Sequence, residues 1–200
     1  WESPPPAKIS DNQFGRILLQ VHQILDIYES MNIDLNNKSF LDVGTGNGMI
    51  PRLMLFLTNL SKSTGVDPFL DGEHATSWQK HDHDETLSGI KDFIEKHCNS
   101  YLDYKDYSQF TGRENFVFKP QPIKISTSPN LDYIFHQTDI HELHTLDEKF
   151  DLIYCKAIEH ISNWESAFSS VSSVANKGAI FYLKHRSFYS YLGPHRYATT

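Results

Sequence analysis

Cysteine is scarce: Cys98 and Cys155 are the two thiols among 200 residues. So placed, they supply neither a disulfide framework nor the paired spacing of a zinc site. They fit a reducing, cytoplasmic compartment. An excess of positive charge is also lacking. The formal net charge is −7, with 18 Lys and Arg against 25 Asp and Glu. There is no lysine-rich run or basic tail, which argues against general nucleic-acid binding, because such binding draws most of its affinity from phosphate contacts. No apolar run reaches the roughly 20 residues of a membrane-spanning helix, and no secretory signal is present. The first residue is Trp1 rather than Met, which reads as a trimmed N-terminus or a piece of a larger protein. The length suits one domain with a sizeable core.

What the chain does have is a glycine turn between a strand and a helix. Phe40, Leu41 and Val43 predict a buried strand, and Met49 through Leu57 an apolar helix. Pro51 is tolerated in the first helical turn, where its missing N–H costs little. Between them run Asp42, Gly44, Thr45, Gly46, Asn47 and Gly48. Glycines let a backbone turn sharply and approach a ligand closely, and N–H groups at a helix start point toward that ligand. The spacing is G-x-G-x-G, not the G-x-G-x-x-G of dinucleotide sites.

Further strands follow in order. Ser63 to Asp67 reads as a short strand ending in an acid 23 residues after Gly44, with Pro68 next. An acid at about that distance suits a ribose, whose two hydroxyls a carboxylate can accept. Tyr133 to Ile140 reads as a third strand and its exit, including Asp139. Phe150 to Ile161 reads as a fourth strand and its loop, carrying Cys155, Lys156, Glu159 and His160. Ser162 and Glu165 have capping-box spacing, and Trp164, Phe168, Val171 and Ala175 would share a helical face. Lys177-Gly178 is expected to end that helix, before a fifth strand from Ala179 to Leu183.

This succession resembles the class I S-adenosylmethionine-dependent methyltransferases, from about Ser39 to Lys184 with a long insertion set aside. The resemblance implies a doubly wound, mostly parallel α/β sheet, a Rossmann-like fold, with S-adenosyl-L-methionine as cofactor. It implies that the turn of Gly44, Thr45, Gly46, Asn47 and Gly48 passes under the cofactor's amino-acid end. Asp42 would favour the ammonium and Asp67, beside Pro68, would bind the ribose. Asp139 would lie near the adenine amino group, with Ile140 on the ring, and Cys155 and Lys156 would end the fourth strand over the cofactor. Asn176-Lys177-Gly178 departs from the family's usual Pro-Gly-Gly turn. The resembled fold also ends with two more strands, whereas four residues follow Arg196 here. The sixth and seventh strands are therefore expected to be missing from this chain, which is read as truncated or incomplete.

The organisation expected is an extension and helix over 1–38, a core over 39–69 and 131–184, an insertion over 70–130 and a substrate-side tail over 185–200. In the first part, Ser10 and Gln13 have capping-box spacing, and Phe14, Ile17, Leu18, Val21, Leu25 and Tyr28 form an apolar stripe. The insertion is far longer than a crossover needs, and long insertions serve as lids or binding loops. A helix is expected there from Glu85 to about Tyr101, capped by Asp84, with Leu87, Ile90, Ile94 and Cys98 on one face. Phe116-Val117-Phe118 and Ile123-Lys124-Ile125 would make a hairpin or separate strands. His74, His81, Asp82, His83 and Asp84 have no recognised metal-ligand spacing, so no metal is assigned.

The tail follows a strand end, where open α/β sheets bind ligands. It contributes His185 and His195 as candidate catalytic bases, with His160 a third. The implied activity is methyl transfer to an O or N atom of a small-molecule acceptor, with no nucleic-acid or membrane partner. The Asn/Asp-Pro-Pro-aromatic motif of nucleic-acid amino-methyltransferases is absent, as is a Pro before Cys155. Two other readings compete. One is a non-catalytic cofactor-binding or interaction module of a larger protein; the other is an NAD-dependent oxidoreductase, disfavoured by the glycine spacing.

Overall fold

The computed structural model describes residues 11–46, 48–68, 83–98, 100–107, 109, 121–125, 132–158 and 161–184. Along the chain lie α1 (Asp11–Ser30), β1 (Ser39–Val43), α2 (Met49–Leu57), β2 (Lys62–Asp67) and α3 (His83–His97). They are followed by β3 (Tyr101–Leu102), α4 (Tyr104–Tyr107), β4 (Ile123–Lys124) and β5 (Tyr133–Gln137). After a 3-10 helix (Ile140–Leu146) come β6 (Phe150–Cys155), α5 (Trp164–Ser173) and β7 (Ala175–Leu183). Among the described residues no helix is long and apolar enough to cross a membrane.

One sheet runs in the order β5–β2–β1–β6–β7, with every neighbouring pair parallel. The chain builds outward from β1 in one direction through β2 and β5, then crosses back to β6 and β7. That reversal between β1 and β6 is the switch point at which doubly wound sheets open a ligand crevice beyond their carboxyl ends.

β1 is buried along its whole length, as a central parallel strand covered on both faces must be. Side-chain alternation divides the core. Phe40, Leu152 and Tyr154 pack with α1, α2 and α3, whereas Leu41, Val43, Ile153 and Cys155 pack with α5 and the 3-10 helix. The stripe read on α1 is its buried face: Phe14, Leu18, Val21, Leu25 and Tyr28 enter the core, with Ile17 against its edge. The Ser10 cap lies outside the described residues.

Several boundaries differ from expectation. The insertion helix begins at His83, placing Asp84 inside the first turn, and ends at His97. Tyr101 and Leu102 pair antiparallel with Lys124 and Ile123. Leu102 is fully buried, so tertiary burial takes these residues out of the helix. Phe116-Val117-Phe118 and the run from His74 to Asp82 fall outside the described residues, as does the side chain of Leu87.

α5 is capped by Asn163, whose Oδ1 accepts from the Ser166 N–H at 3.4 Å. That is one residue later than the Ser162–Glu165 box. Its buried face is Ala167, Ser170 and Val171, while Trp164 stays 57% exposed. The choice follows from the 3-10 helix, where Leu143 N–H donates to Ser170 Oγ at 3.0 Å.

Lys177-Gly178 does not end α5; it lies inside β7, which begins at Ala175. Phe150 pairs with Ala175 and Leu152 with Ile180, so β7 carries extra residues across one short step of β6. Gly178 takes φ +82° with open space around it, as such a bulge requires. Asn176 Nδ2 donates to Asp151 Oδ1 at 3.0 Å, securing the bulge.

Candidate functional site

The loop after β1 is pinned to the end of β2. Gly44 and Thr45 N–H groups both donate to the Val66 carbonyl, at 2.9 and 3.0 Å, and Gly48 N–H donates to Thr45 O at 3.1 Å. Gly44, Gly46 and Gly48 take φ of +72°, +57° and +69°, left-handed values costly for residues with a Cβ. Space demands glycine as well. A Cβ on Gly44 would lie 2.6 Å from Ala157 Cβ, in the loop after β6. Gly48 precedes α2 with no side-chain cap.

Asp42 lies beneath this loop at 2% exposure. Its Oδ2 accepts from Thr45 Oγ1 at 2.7 Å. Burial pushes its carboxyl up to about 7; the Thr45 bond and the Lys156 ammonium oppose the rise, and the Asp67 charge adds to it. A buried acid poised between its two forms is suited to a cationic partner, which favours the anion.

Asp67 ends β2 and accepts from the Gly46 N–H at 2.9 Å through Oδ2. The glycine loop and the acid beyond the neighbouring strand therefore meet directly. Pro68, half-buried, receives Gln137 Nε2 on its carbonyl at 3.1 Å. Asp139 caps the 3-10 helix, its Oδ1 accepting from His141 N–H at 2.9 Å. Ile140 is buried in the α5-side core. Both thus have local structural tasks at the exit from β5.

Cys155 closes β6 and its thiol is buried in the α5-side core. Lys156 turns the other way and donates from Nζ to Gln20 Oε1 on α1 at 2.9 Å. Lys184, just past β7, makes the matching bond to Gln23 Oε1 at 2.6 Å. The two lysines thereby tie α1 to the carboxyl ends of adjacent strands.

The structure brings together Asp42, Gly44, Thr45, Gly46, Gly48 and Asp67, with Lys156 acting on Asp42 through charge. Asn47, His160, His185 and His195 lie outside the described residues, as does Glu159. Among the described residues no group of three His, Cys, Asp or Glu side chains could hold a metal ion.

Sequence reading misses two contributors, Tyr133 and Arg52. Tyr133 was read simply as strand, yet its hydroxyl lies where a Cβ on Gly48 or Gly65 would fall, 2.3 and 2.8 Å away. Arg52 places its guanidinium carbon 4.4 Å from the Tyr133 ring centroid, a cation–π distance. A glycine inside a strand marks close approach by another group, so Gly65 was the available signal.

Residues 17–191 match the family model described as a methyltransferase domain. The chain belongs to that family and has the Rossmann-like fold of the class I S-adenosylmethionine-dependent methyltransferases. S-adenosylmethionine is the cofactor that goes with this class.

Among solved structures, one S-adenosylmethionine-dependent methyltransferase from Clostridium acetobutylicum is similar at 18% identity and a TM-score of 0.44, over 91% of this chain and 53% of that one. The YcgJ protein from Bacillus subtilis gives 18% and 0.44, over 84% and 51%. A plantazolicin methyltransferase crystallised with a triazolic desmethylPZN analogue and S-adenosylhomocysteine gives 13% and 0.48, over 84% and 45%. The chain thus spans about half the length of these proteins. No curated protein sequence matches it significantly.

Proposed function

We propose that this chain binds S-adenosylmethionine beyond the carboxyl ends of β1 and β2 and serves methyl transfer to an O or N atom of a small-molecule acceptor. One observation carries the cofactor reading: a buried carboxylate under a triple-glycine loop, with a second carboxylate bonded to that loop from the next strand. Asp42 provides the negative charge for the cofactor's ammonium. The turn of Gly44, Thr45, Gly46, Asn47 and Gly48 takes its amino-acid end, with the three glycines letting the backbone approach closely. Asp67 retains acceptor capacity for ribose hydroxyls, since a carboxylate has about four lone-pair sites. Pro68, Asp139 and Ile140 edge the adenosine side, and Cys155 and Lys156 the strand end opposite.

When bound, the cofactor would supply a sulfonium methyl, whose carbon bonds to the acceptor O or N as its bond to sulfur breaks and the thioether leaves. The chain's task is to hold acceptor and methyl in line, which accounts for several kcal/mol of barrier lowering. The acceptor's proton passes to a single base, for which His185, His195 and His160 are the candidates in that order of preference. The 70–130 insertion and the tail past β7 cover the acceptor. The two cysteines are buried and not joined in a disulfide, in keeping with a reducing cytoplasm.

Calorimetric titration with S-adenosylhomocysteine, with NADH as control, tests the cofactor reading. Saturable one-to-one binding of the former alone is expected; tight NADH binding instead, or no binding by folded protein, overturns it. Turnover with a panel of O- and N-acceptors then separates an enzyme from a non-catalytic module.

A further inference from the structure

We propose that the acceptor carries an oxyanionic group, a carboxylate or phosphate, and that Lys156 and Lys184 together hold it. This deepens the methyl-transfer reading and rests on the acceptor lying beyond the carboxyl ends of β6 and β7.

The site starts from strand register. Cys155 ends β6 and pairs with Leu183, which ends β7. The Lys184 N–H continues the ladder, donating to the Cys155 carbonyl at 2.9 Å. Lys156 and Lys184 thus leave adjacent parallel strands at one level, where strands stand about 5 Å apart. Both side chains then reach α1. Lys156 Nζ donates to Gln20 Oε1 at 2.9 Å and Lys184 Nζ to Gln23 Oε1 at 2.6 Å. Gln20 and Gln23 are three residues apart, so they are neighbours on the helix surface. Two ammoniums therefore stand side by side, and all four residues are half-buried.

The anchors on α1 are amides. An amide oxygen orients an ammonium but carries no net charge, so these two bonds fix the lysines without neutralising them. A glutamate at either position would tie α1 to the strand as well and remove the charge. Two like charges held close repel, more strongly where burial lowers the local dielectric, and an anion between them relieves that repulsion. The attraction acts between charges and needs no idle N–H on either lysine. A lysine meets anions as a compact charge, so carboxylate and phosphate both suit the pair.

Charge is divided across the switch point between β1 and β6. Asp42 in β1 and Asp67 at the end of β2 lie on one side, and Lys156 and Lys184, past β6 and β7, on the other. The acidic side suits a cofactor that bears ammonium and sulfonium groups. The basic side suits an acceptor of opposite sign. Lys156 joins the two, since its charge also favours the Asp42 anion. The whole chain carries −7, a balance that repels anions at long range, so a local pair of cations is what can select one.

Carbon-13 NMR of the folded chain labelled at lysine Cε, titrated with inorganic phosphate at constant ionic strength, tests the site. Lys156→Gln and Lys184→Gln variants assign the two signals. Both signals are expected to shift along one saturable curve, with chloride at the same ionic strength leaving them in place. Signals that stay still, or that respond equally to chloride, overturn the proposal.

A further variant separates an anion site from a simple tether. Gln23→Glu keeps a partner for Lys184 and adds a charge that competes with phosphate. Phosphate affinity should fall about tenfold or more, the scale of a lost charge-assisted contact, in protein that thermal melts show to be folded. Unchanged affinity overturns the proposal.

Paired acceptors, each acid set against its own amide, carry the site to the reaction. The acid should have the lower KM, and Lys184→Gln should raise it toward that of the amide. Equal KM values for acid and amide overturn the proposal. S-adenosylhomocysteine calorimetry on the same protein keeps the two readings apart. Phosphate binding without it overturns the cofactor reading alone, and the reverse result overturns the lysine site alone.

Discussion

The Asp67 carboxylate accepts a hydrogen bond from the Gly46 amide at 2.9 Å. The acid that ends β2 therefore also closes the glycine loop that follows β1. The contact spans two neighbouring parallel strands and links the two halves of the proposed cofactor cradle.

Asp67→Ala should lose both this closure and the ribose acceptors. Charge-assisted hydrogen bonds of this kind are worth about 1–3 kcal/mol, so S-adenosylhomocysteine affinity should fall about 10- to 100-fold. Calorimetry on folded variant protein checks this. Unchanged affinity would remove Asp67 from the site.

Gly44→Ala should damage the loop before it touches any ligand. The new methyl would meet Ala157 Cβ at 2.6 Å on a backbone with φ +72°. Strain of this type costs about 1–3 kcal/mol, and a chain of this size loses roughly 2–4 °C in Tm per kcal/mol. A melting scan with a paired binding titration should show both losses. A variant as stable as wild type would mean that the loop after β6 yields easily.

Asp42 makes stability fall as pH rises. Its folded value, about 7, lies above the ordinary 3.8, so between those limits the folded state holds a proton that the unfolded chain has released. The protein loses stability across roughly pH 4 to 7 on this account. Asp42→Asn should match wild type near pH 4 and exceed it by about 1–3 kcal/mol at pH 8, while binding cofactor more weakly. Urea unfolding at several pH values measures the difference; parallel curves would show that Asp42 ionises as easily as an exposed acid.

His22 contributes the opposite slope. It is buried on α1, stacked at 5.5 Å on Tyr107 of α4. Burial lowers its pKa from 6.5 to about 4, against weaker support from the Leu102 backbone and the Asp103 charge. The Leu102 contact falls short of hydrogen-bond geometry, and neither ring nitrogen has a hydrogen-bond partner among the described residues. Below pH 6.5 the unfolded chain takes up a proton that the folded state refuses, so stability is lost as pH falls toward 4. His22→Phe retains the ring stack and should remove about 2–3 kcal/mol of that acid sensitivity. Equal acid unfolding midpoints for the two proteins would contradict this.

Much of the sheet could be read along the chain because its strands are buried on both faces. Phe40 to Val43, Ser63 to Asp67 and Phe150 to Cys155 stand out as short apolar or small-residue runs closed by acids, glycines or turns. β1, β2 and β6 fall on them. α2 runs from Met49 to Leu57 as expected, since glycines precede it and an apolar face fills it. Asp42, the glycines and Asp67 were visible for the same local reason: a loop that must turn with positive φ announces itself in residue type.

Tertiary packing settled the rest, because the decisive partners are distant in sequence. Local spacing favoured Ser162 as a cap, yet Asn163 took that place once Ser170 packed on the 3-10 helix. Lys177-Gly178 looked like a helix stop and became a strand bulge because β7 had to register with β6. Tyr133 looks like an ordinary strand aromatic until its hydroxyl meets Gly48 in the loop after β1 and Gly65 in β2. Backbone conformation depends mainly on a residue and its neighbours, so the chain could declare its glycine loop and strands. Ionisation depends on what surrounds a buried group, so the state of Asp42 was decided only when the fold buried it and brought Thr45, Asp67 and Lys156 around it.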